Sequence, residues 1–142
     1  MRSVVCKAYR QIKDTGRLAL FKSYRAEYPD GGQQRDFLYV KDAVGVMAWL
    51  LDHPDVGGLY NVGSGAARTW NDLASAIFTA MGRSAAVDYV EMPETLRAKY
   101  QYFTEARLTR LRAAGYDRPF LTLEDGVDDY VRTYLAGADP YL

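Results

Sequence analysis

Apolar residues in this chain switch between stripes at a spacing of three to four and short unbroken runs, which predicts helices and strands in alternation. Val4, Val5, Ala8, Tyr9 and Ile12 form the first helical stripe, and Gly16 closes it two residues after Asp14. The stripe opens without a lead-in or a cap, and that implies a segment ahead of Met1. Leu18, Ala19, Leu20 and Phe21 read as a short strand. Pro29, Asp30, Gly31 and Gly32 are turn signals within a polar loop over 24–32. Phe37, Leu38, Tyr39 and Val40 read as the next strand. Asp42 then stands where an N-cap belongs, ahead of a helix over 42–51 with Val44, Met47, Ala48 and Leu51 as its stripe.

Leu59, Tyr60, Asn61 and Val62 read as a compact strand that wants neighbours on both sides and ends in Gly63-Ser64-Gly65. Thr69, with Asp72 three residues on, starts a helix whose stripe is Leu73, Ile77, Ala80 and Met81, stopped by Gly82. A short alternating strand follows over 87–90, then an irregular stretch over 93–103. Thr104 is placed to cap a helix running through Leu108, Leu111 and Ala114 to Gly115. Thr122, with Asp125, starts the last helix, striped by Leu123, Val127, Tyr130, Val131 and Tyr134. The alternation predicts an α/β fold with partly parallel pairing, in a thin sheet of three or four short strands.

Composition narrows the reading. The 142 residues, 49% hydrophobic and 25% charged, have the balance of a single globular domain over 1–142, large enough to bury a core. Eighteen basic residues offset eighteen acidic ones. That predicts neither nucleic acid nor a membrane surface as a partner, while leaving room for a local basic pocket. No apolar run approaches the ~18 residues of a bilayer-spanning helix, and the start does not resemble a signal peptide. Cys6 is the sole cysteine, which fits a reducing cytoplasm. Twelve tyrosines offer flat faces with a hydroxyl, suited to holding sugars and bases and equally to half-buried packing.

Arg35, at the mouth of the predicted 37–40 strand, presents a planar, permanently charged fork that suits a phosphate or carboxylate. The alternative is a surface pair with Asp36, worth little. Tyr100 lies in an irregular segment with Arg97, Lys99, Gln101, Tyr102 and Phe103, where it can stack on a base or donate to a phosphate. Tyr102 and Phe103 read equally well as an aromatic plug over a helix end. Gly63-Ser64-Gly65 lacks the Gly-Lys-Ser/Thr end of a phosphate loop and reads as a tight turn. Tyr9 and Lys13 match Tyr-x-x-x-Lys, but no glycine-rich dinucleotide turn accompanies them. His53, the only histidine, has no metal-ligand spacing and reads as solvated.

Two blocks together, Arg35-Asp36-Phe37-Leu38-Tyr39-Val40-Lys41-Asp42 and Tyr60-Asn61-Val62-Gly63-Ser64-Gly65, resemble the carboxyl-terminal half of extended short-chain dehydrogenase/reductases that act on nucleotide sugars. Lys99-Tyr100-Gln101-Tyr102-Phe103-Thr104 and Leu111-Arg112-Ala113-Ala114-Gly115-Tyr116, with Met92-Pro93-Glu94 and Pro119-Phe120, are similar to the ADP-glyceromanno-heptose 6-epimerase family in particular. The opening Met1-Arg2-Ser3-Val4 resembles the stretch that follows a family lysine.

The resemblance implies an isomerase that inverts C6 of an ADP-linked heptose through bound NADP, supplying the inner-core heptose of lipopolysaccharide. It implies that Arg35 holds the diphosphate and that Tyr100 and Phe21 contact the same substrate. Lys7 stands where some members carry a substrate-contacting histidine. Lys22, Ser23 and Tyr24 replace a glycine-containing turn. The family's dinucleotide loop, its Tyr-x-x-x-Lys pair and its additional lysine base would precede Met1.

The expectation is therefore a substrate-binding portion without its Rossmann half. It would bind an ADP-sugar, hold no NADP and be inactive alone, with no catalytic residue of its own. Apolar surface left open at 59–62 and along the 4–12 stripe would favour a homo-oligomer. Two other readings compete: the same half of a different nucleotide-sugar epimerase or dehydratase, and a stand-alone nucleotide-sugar binding module.

Overall fold

The computed structural model describes residues 3–137. Helix α1 (Val4–Thr15) starts on Ser3, whose hydroxyl accepts from the Cys6 N–H, and ends at Gly16 in the left-handed conformation, with its N–H on the Ile12 carbonyl. The helix is thus capped after all, by a residue the hydrophobic pattern passes over. Strand β1 (Leu18–Phe21) follows as expected. It pairs in parallel with β4 (Val87–Val90), Leu18 opposite Val87 and Phe21 opposite Val90.

The next strand lies ahead of its predicted place. Strand β2 is Gln34–Asp36, not 37–40, and it pairs antiparallel with β3 (Ala67–Thr69), Arg35 opposite Arg68. Arg35 is therefore mid-strand rather than at a strand mouth. Val40 already belongs to helix α2 (Val40–Asp52), whose N-cap is Tyr39. Asp42 sits in the first turn, where its carboxylate accepts from the Leu121 N–H at 3.0 Å. The sheets are accordingly two separate pairs, β1 with β4 and β2 with β3.

Residues 59–62 form no strand; nothing pairs with them among the described residues, and Leu59 is 80% exposed. Helix α3 (Trp70–Ala80) begins with a full capping box: the Thr69 hydroxyl accepts from the Asp72 N–H, and the Asp72 carboxylate from the Thr69 N–H. Short helices α4 (Glu94–Arg97) and α5 (Thr109–Ala113) follow. Helix α5 starts five residues after Thr104, which is therefore not its cap. Thr122 does cap α6 (Leu123–Asp129), its hydroxyl accepting from the Asp125 N–H. A π-helical turn (Tyr130–Leu135) continues α6 and slips the stripe by one position, so Leu135 is buried where Tyr134 was expected.

The main core lies between α1, α3, α6 and the π turn, centred on Ile12, Leu73, Ile77, Phe78, Val127 and Val131. A second cluster joins Val46 and Trp49 of α2 to Leu111 and Tyr116. Within the described residues no helix is long and apolar enough to cross a membrane.

Candidate functional site

A cavity of about 370 Å³ opens between α1, β1 and the start of α3, and Lys7, Phe21, Gln33, Trp70 and Tyr100 stand in its wall. Three of the four residues singled out from sequence, Lys7, Phe21 and Tyr100, thus share one cavity although they come from three distant parts of the chain. Lys7 sits on the exposed side of α1, one turn before Gln11. Phe21 ends β1, and its ring meets the edge of Tyr100 at 6.3 Å.

Arg35, the fourth, lies behind Tyr100, with its guanidinium carbon 5.1 Å from the centre of that ring. Strand β2 aims it there, and Nη1 donates to the Gln34 carbonyl at 2.7 Å. Among the described residues Arg35 forms no salt bridge. The reason is Asp36, which faces away from it. Asp36 takes the Ser64 N–H and hydroxyl at 2.6 Å each, the Gly65 N–H at 3.1 Å and the Ala106 N–H at 2.9 Å. Burial opposes the ionisation of Asp36, but these donors outweigh it and hold the carboxyl below its usual range. The surface-pair reading of Arg35 and Asp36 therefore fails, because the Asp36 carboxylate is taken by other donors.

The same clamp explains the Gly63-Ser64-Gly65 turn. A Cβ on Gly63 would run into the Asp36 carboxylate and Ala106, so the close approach requires glycine. With the Ser64 and Gly65 N–H groups committed to Asp36, the turn does not aim them at a phosphate.

Tyr100 is half-buried. Burial pushes its phenol up, and the Arg35 charge and the Trp70 N–H work against that rise. Gln33, 1% exposed, is tethered by Nε2 to the Phe21 and Lys22 carbonyls at 3.4 and 3.3 Å. Its own carbonyl accepts the Trp70 backbone N–H at 3.2 Å, so β1, β2 and the start of α3 are locked around the cavity. Trp70 Nε1 is buried with no hydrogen bond of good geometry; an unmade buried donor costs about 1–3 kcal/mol. Sequence reasoning passed over Gln33 and Trp70. A glutamine two residues before Arg35 and a tryptophan right after a cap were the available signals.

The other candidates fall outside this cavity's ligand-facing set. Tyr102 is buried, and its hydroxyl accepts from the Tyr24 N–H at 2.9 Å, whereas Phe103 is 51% exposed. Tyr102 is buried as a plug would be, but it packs on Tyr28 and the 24–28 loop rather than over a helix end. Tyr9 packs partly against the main core while Lys13 points to solvent. His53 is not simply solvated: its ring stacks on Trp49 at 4.4 Å and Nδ1 meets the Trp49 carbonyl at 2.8 Å.

An α/β fold carries this aromatic-walled cavity with an arginine behind it, and residues 1–63 match the model of the NAD dependent epimerase/dehydratase family. More particularly, the chain is 59% identical over all 142 of its residues to the ADP-L-glycero-D-manno-heptose-6-epimerase of Nitratidesulfovibrio vulgaris (strain DP4), of which it spans 44%. The crystal structure of Helicobacter pylori ADP-L-glycero-D-manno-heptose-6-epimerase is also similar. Its TM-score is 0.73 at 25% identity, over 94% of this chain and 38% of that one. The dTDP-glucose 4,6-dehydratase of Bacillus anthracis, solved in complex with NAD, shares the fold, with a TM-score of 0.72 at 20% identity over 96% of this chain and 40% of that one. The resemblance read from the sequence blocks is borne out, and the chain spans less than half the length of these relatives.

Proposed function

We propose that this chain is the ADP-sugar-binding domain of an ADP-glyceromanno-heptose 6-epimerase, serving inner-core heptose synthesis for lipopolysaccharide in the cytoplasm. The observation that carries the reading is the meeting of Lys7, Phe21 and Tyr100 in one cavity, with the unpaired Arg35 against Tyr100. Arg35 would grip the diphosphate through its fork. Tyr100 would donate to the same group, Phe21 would offer an aromatic face and Lys7 a second cation. In this reading NADP would supply the hydride chemistry of the whole enzyme. The described residues do not fit that cofactor: among them no glycine-rich turn leads from a strand straight into a helix, as a dinucleotide loop would. The chain alone is therefore expected to bind ADP-sugar, to hold no NADP and to be inactive. The apolar stripe exposed on α2 supports a homo-oligomer.

Titration calorimetry with ADP, UDP and dTDP tests the reading. ADP is expected to bind best, and Arg35→Ala to weaken it about tenfold or more, as loss of a charged hydrogen bond does. No heat with ADP at millimolar concentration would sink the binding role. Preference for UDP or dTDP would assign the chain to another nucleotide-sugar enzyme. Epimerisation of ADP-heptose by the chain with NADP would overturn the inactivity.

A further inference from the structure

Among the described residues, Gln33 is the one buried residue with an amide or charged side chain, 1% exposed, and it stands in the cavity wall. Its Nε2 donates to the Phe21 and Lys22 carbonyls at 3.4 and 3.3 Å. Only the nitrogen end of an amide can meet two carbonyls, so its orientation is fixed and Oε1 turns away from the end of β1. No described residue donates to Oε1. The sealed side-chain polar atom without a partner is nevertheless Trp70 Nε1 and not this oxygen. Oε1 is therefore open to the cavity that Gln33 borders. Tethering β1 needs the nitrogen alone, and the oxygen remains as an acceptor for what enters.

The spacing to Arg35 indicates which group that is. The Gln33 carbonyl takes the Trp70 N–H at 3.2 Å, which carries the β2–β3 ladder one residue beyond Gln34 opposite Thr69. In extended backbone, residues two apart share a face and stand about 7 Å from each other. Arg35 lies against Tyr100, which borders the same cavity. A diphosphate held by Arg35 and Tyr100 thus brings a sugar joined to it level with Gln33.

We propose that Gln33 is a specificity-determining residue of this cavity: its Oε1 accepts a hydrogen bond from a hydroxyl of the sugar next to the diphosphate, an assignment that rests on the nucleotide reading above. Two sugars offer such an O–H, the ribose of the nucleoside and the sugar carried on the far phosphate. Leu20, Phe21 and Leu73 line the same wall and have no donor to give. An analogue without the hydroxyl leaves the oxygen unpaired in apolar surroundings, and a site built to hydrogen-bond a hydroxyl rejects it for that reason.

The test is titration calorimetry on the full chain with paired ligands. ADP against 2′-deoxy-ADP and 3′-deoxy-ADP reads the ribose, and ADP-glucose against its 2-deoxyglucose analogue reads the attached sugar. In the native chain one of these deletions is expected to weaken binding about three- to tenfold. In Gln33→Leu the ratio within that pair should fall to one. A purely structural role would weaken both members of the pair alike, so a ratio that survives in Gln33→Leu overturns the proposal. Equal binding of every pair by the native chain overturns it too, whether or not the variant folds, and leaves the nucleotide reading standing. A chain that binds no ADP but prefers ribose 5-phosphate to 2-deoxyribose 5-phosphate overturns the nucleotide reading and keeps Gln33 as the acceptor. Binding of neither overturns both.

Discussion

Asp36 governs the site from behind. By taking four donors from two loops it fixes the 63–65 turn and Ala106 against β2, and it leaves its neighbour Arg35 without a carboxylate. Asp36→Asn keeps the shape but replaces one acceptor oxygen with a donor facing N–H groups. It is expected to cost about 1–3 kcal/mol in denaturant unfolding. The pH dependence has a definite sign. Because the folded carboxyl titrates below its unfolded value of about 3.9, its contribution is present in full above that value and lost as pH falls through the lower folded one. Acid unfolding of the native chain should therefore be steeper below about pH 4 than that of Asp36→Asn; matching acid limbs would count against the clamp. Nothing in the Arg-Asp dipeptide reveals that the two side chains part company, because the partners that take Asp36 lie 28 and 70 residues away along the chain.

Among the elements the caps at Thr69 and Thr122 proved legible, those placed at Asp42 and Thr104 did not, and neither did the buried faces. Thr69 and Asp72 form the reciprocal box their spacing implies, and Thr122 caps α6. Both are local chemistry, settled within four residues. Thr69→Ala should cost about 1 kcal/mol, read as a lower midpoint in thermal or denaturant unfolding; an unchanged midpoint would rule out the box as a source of stability. Helix α2 illustrates the opposite case. Its existence was read correctly, but the stripe Val44, Met47 and Leu51 faces outward, and Val46 and Trp49 face the core instead. A helix apolar on both sides does not declare which side its neighbours will cover. The 59–62 run failed for the same reason, since a strand exists only where a partner strand supplies its ladder.

The exposed face is the chief property of the molecule as a whole. Val40, Val44, Met47 and Leu51 lie open along α2, Leu51 at 82% exposure, and Leu59 is open as well. Such a stripe is larger than the scattered apolar residues of an ordinary surface and favours association. Sedimentation should show a mass that rises with concentration, and Met47→Lys with Leu51→Lys should lower it without lowering the melting temperature. A monomer at high concentration in the native chain would refute this. The sequence by itself determined the α1 stripe, the β1 and β4 runs, the Thr69 and Thr122 caps and the motif blocks that carry the family resemblance, because each is written in neighbouring residues. Only the tertiary structure decided that Lys7, Phe21 and Tyr100 meet, that Arg35 stands free of Asp36, and which side of α2 is buried. Those outcomes depend on contacts between segments far apart in the chain, and local pattern carries no record of them.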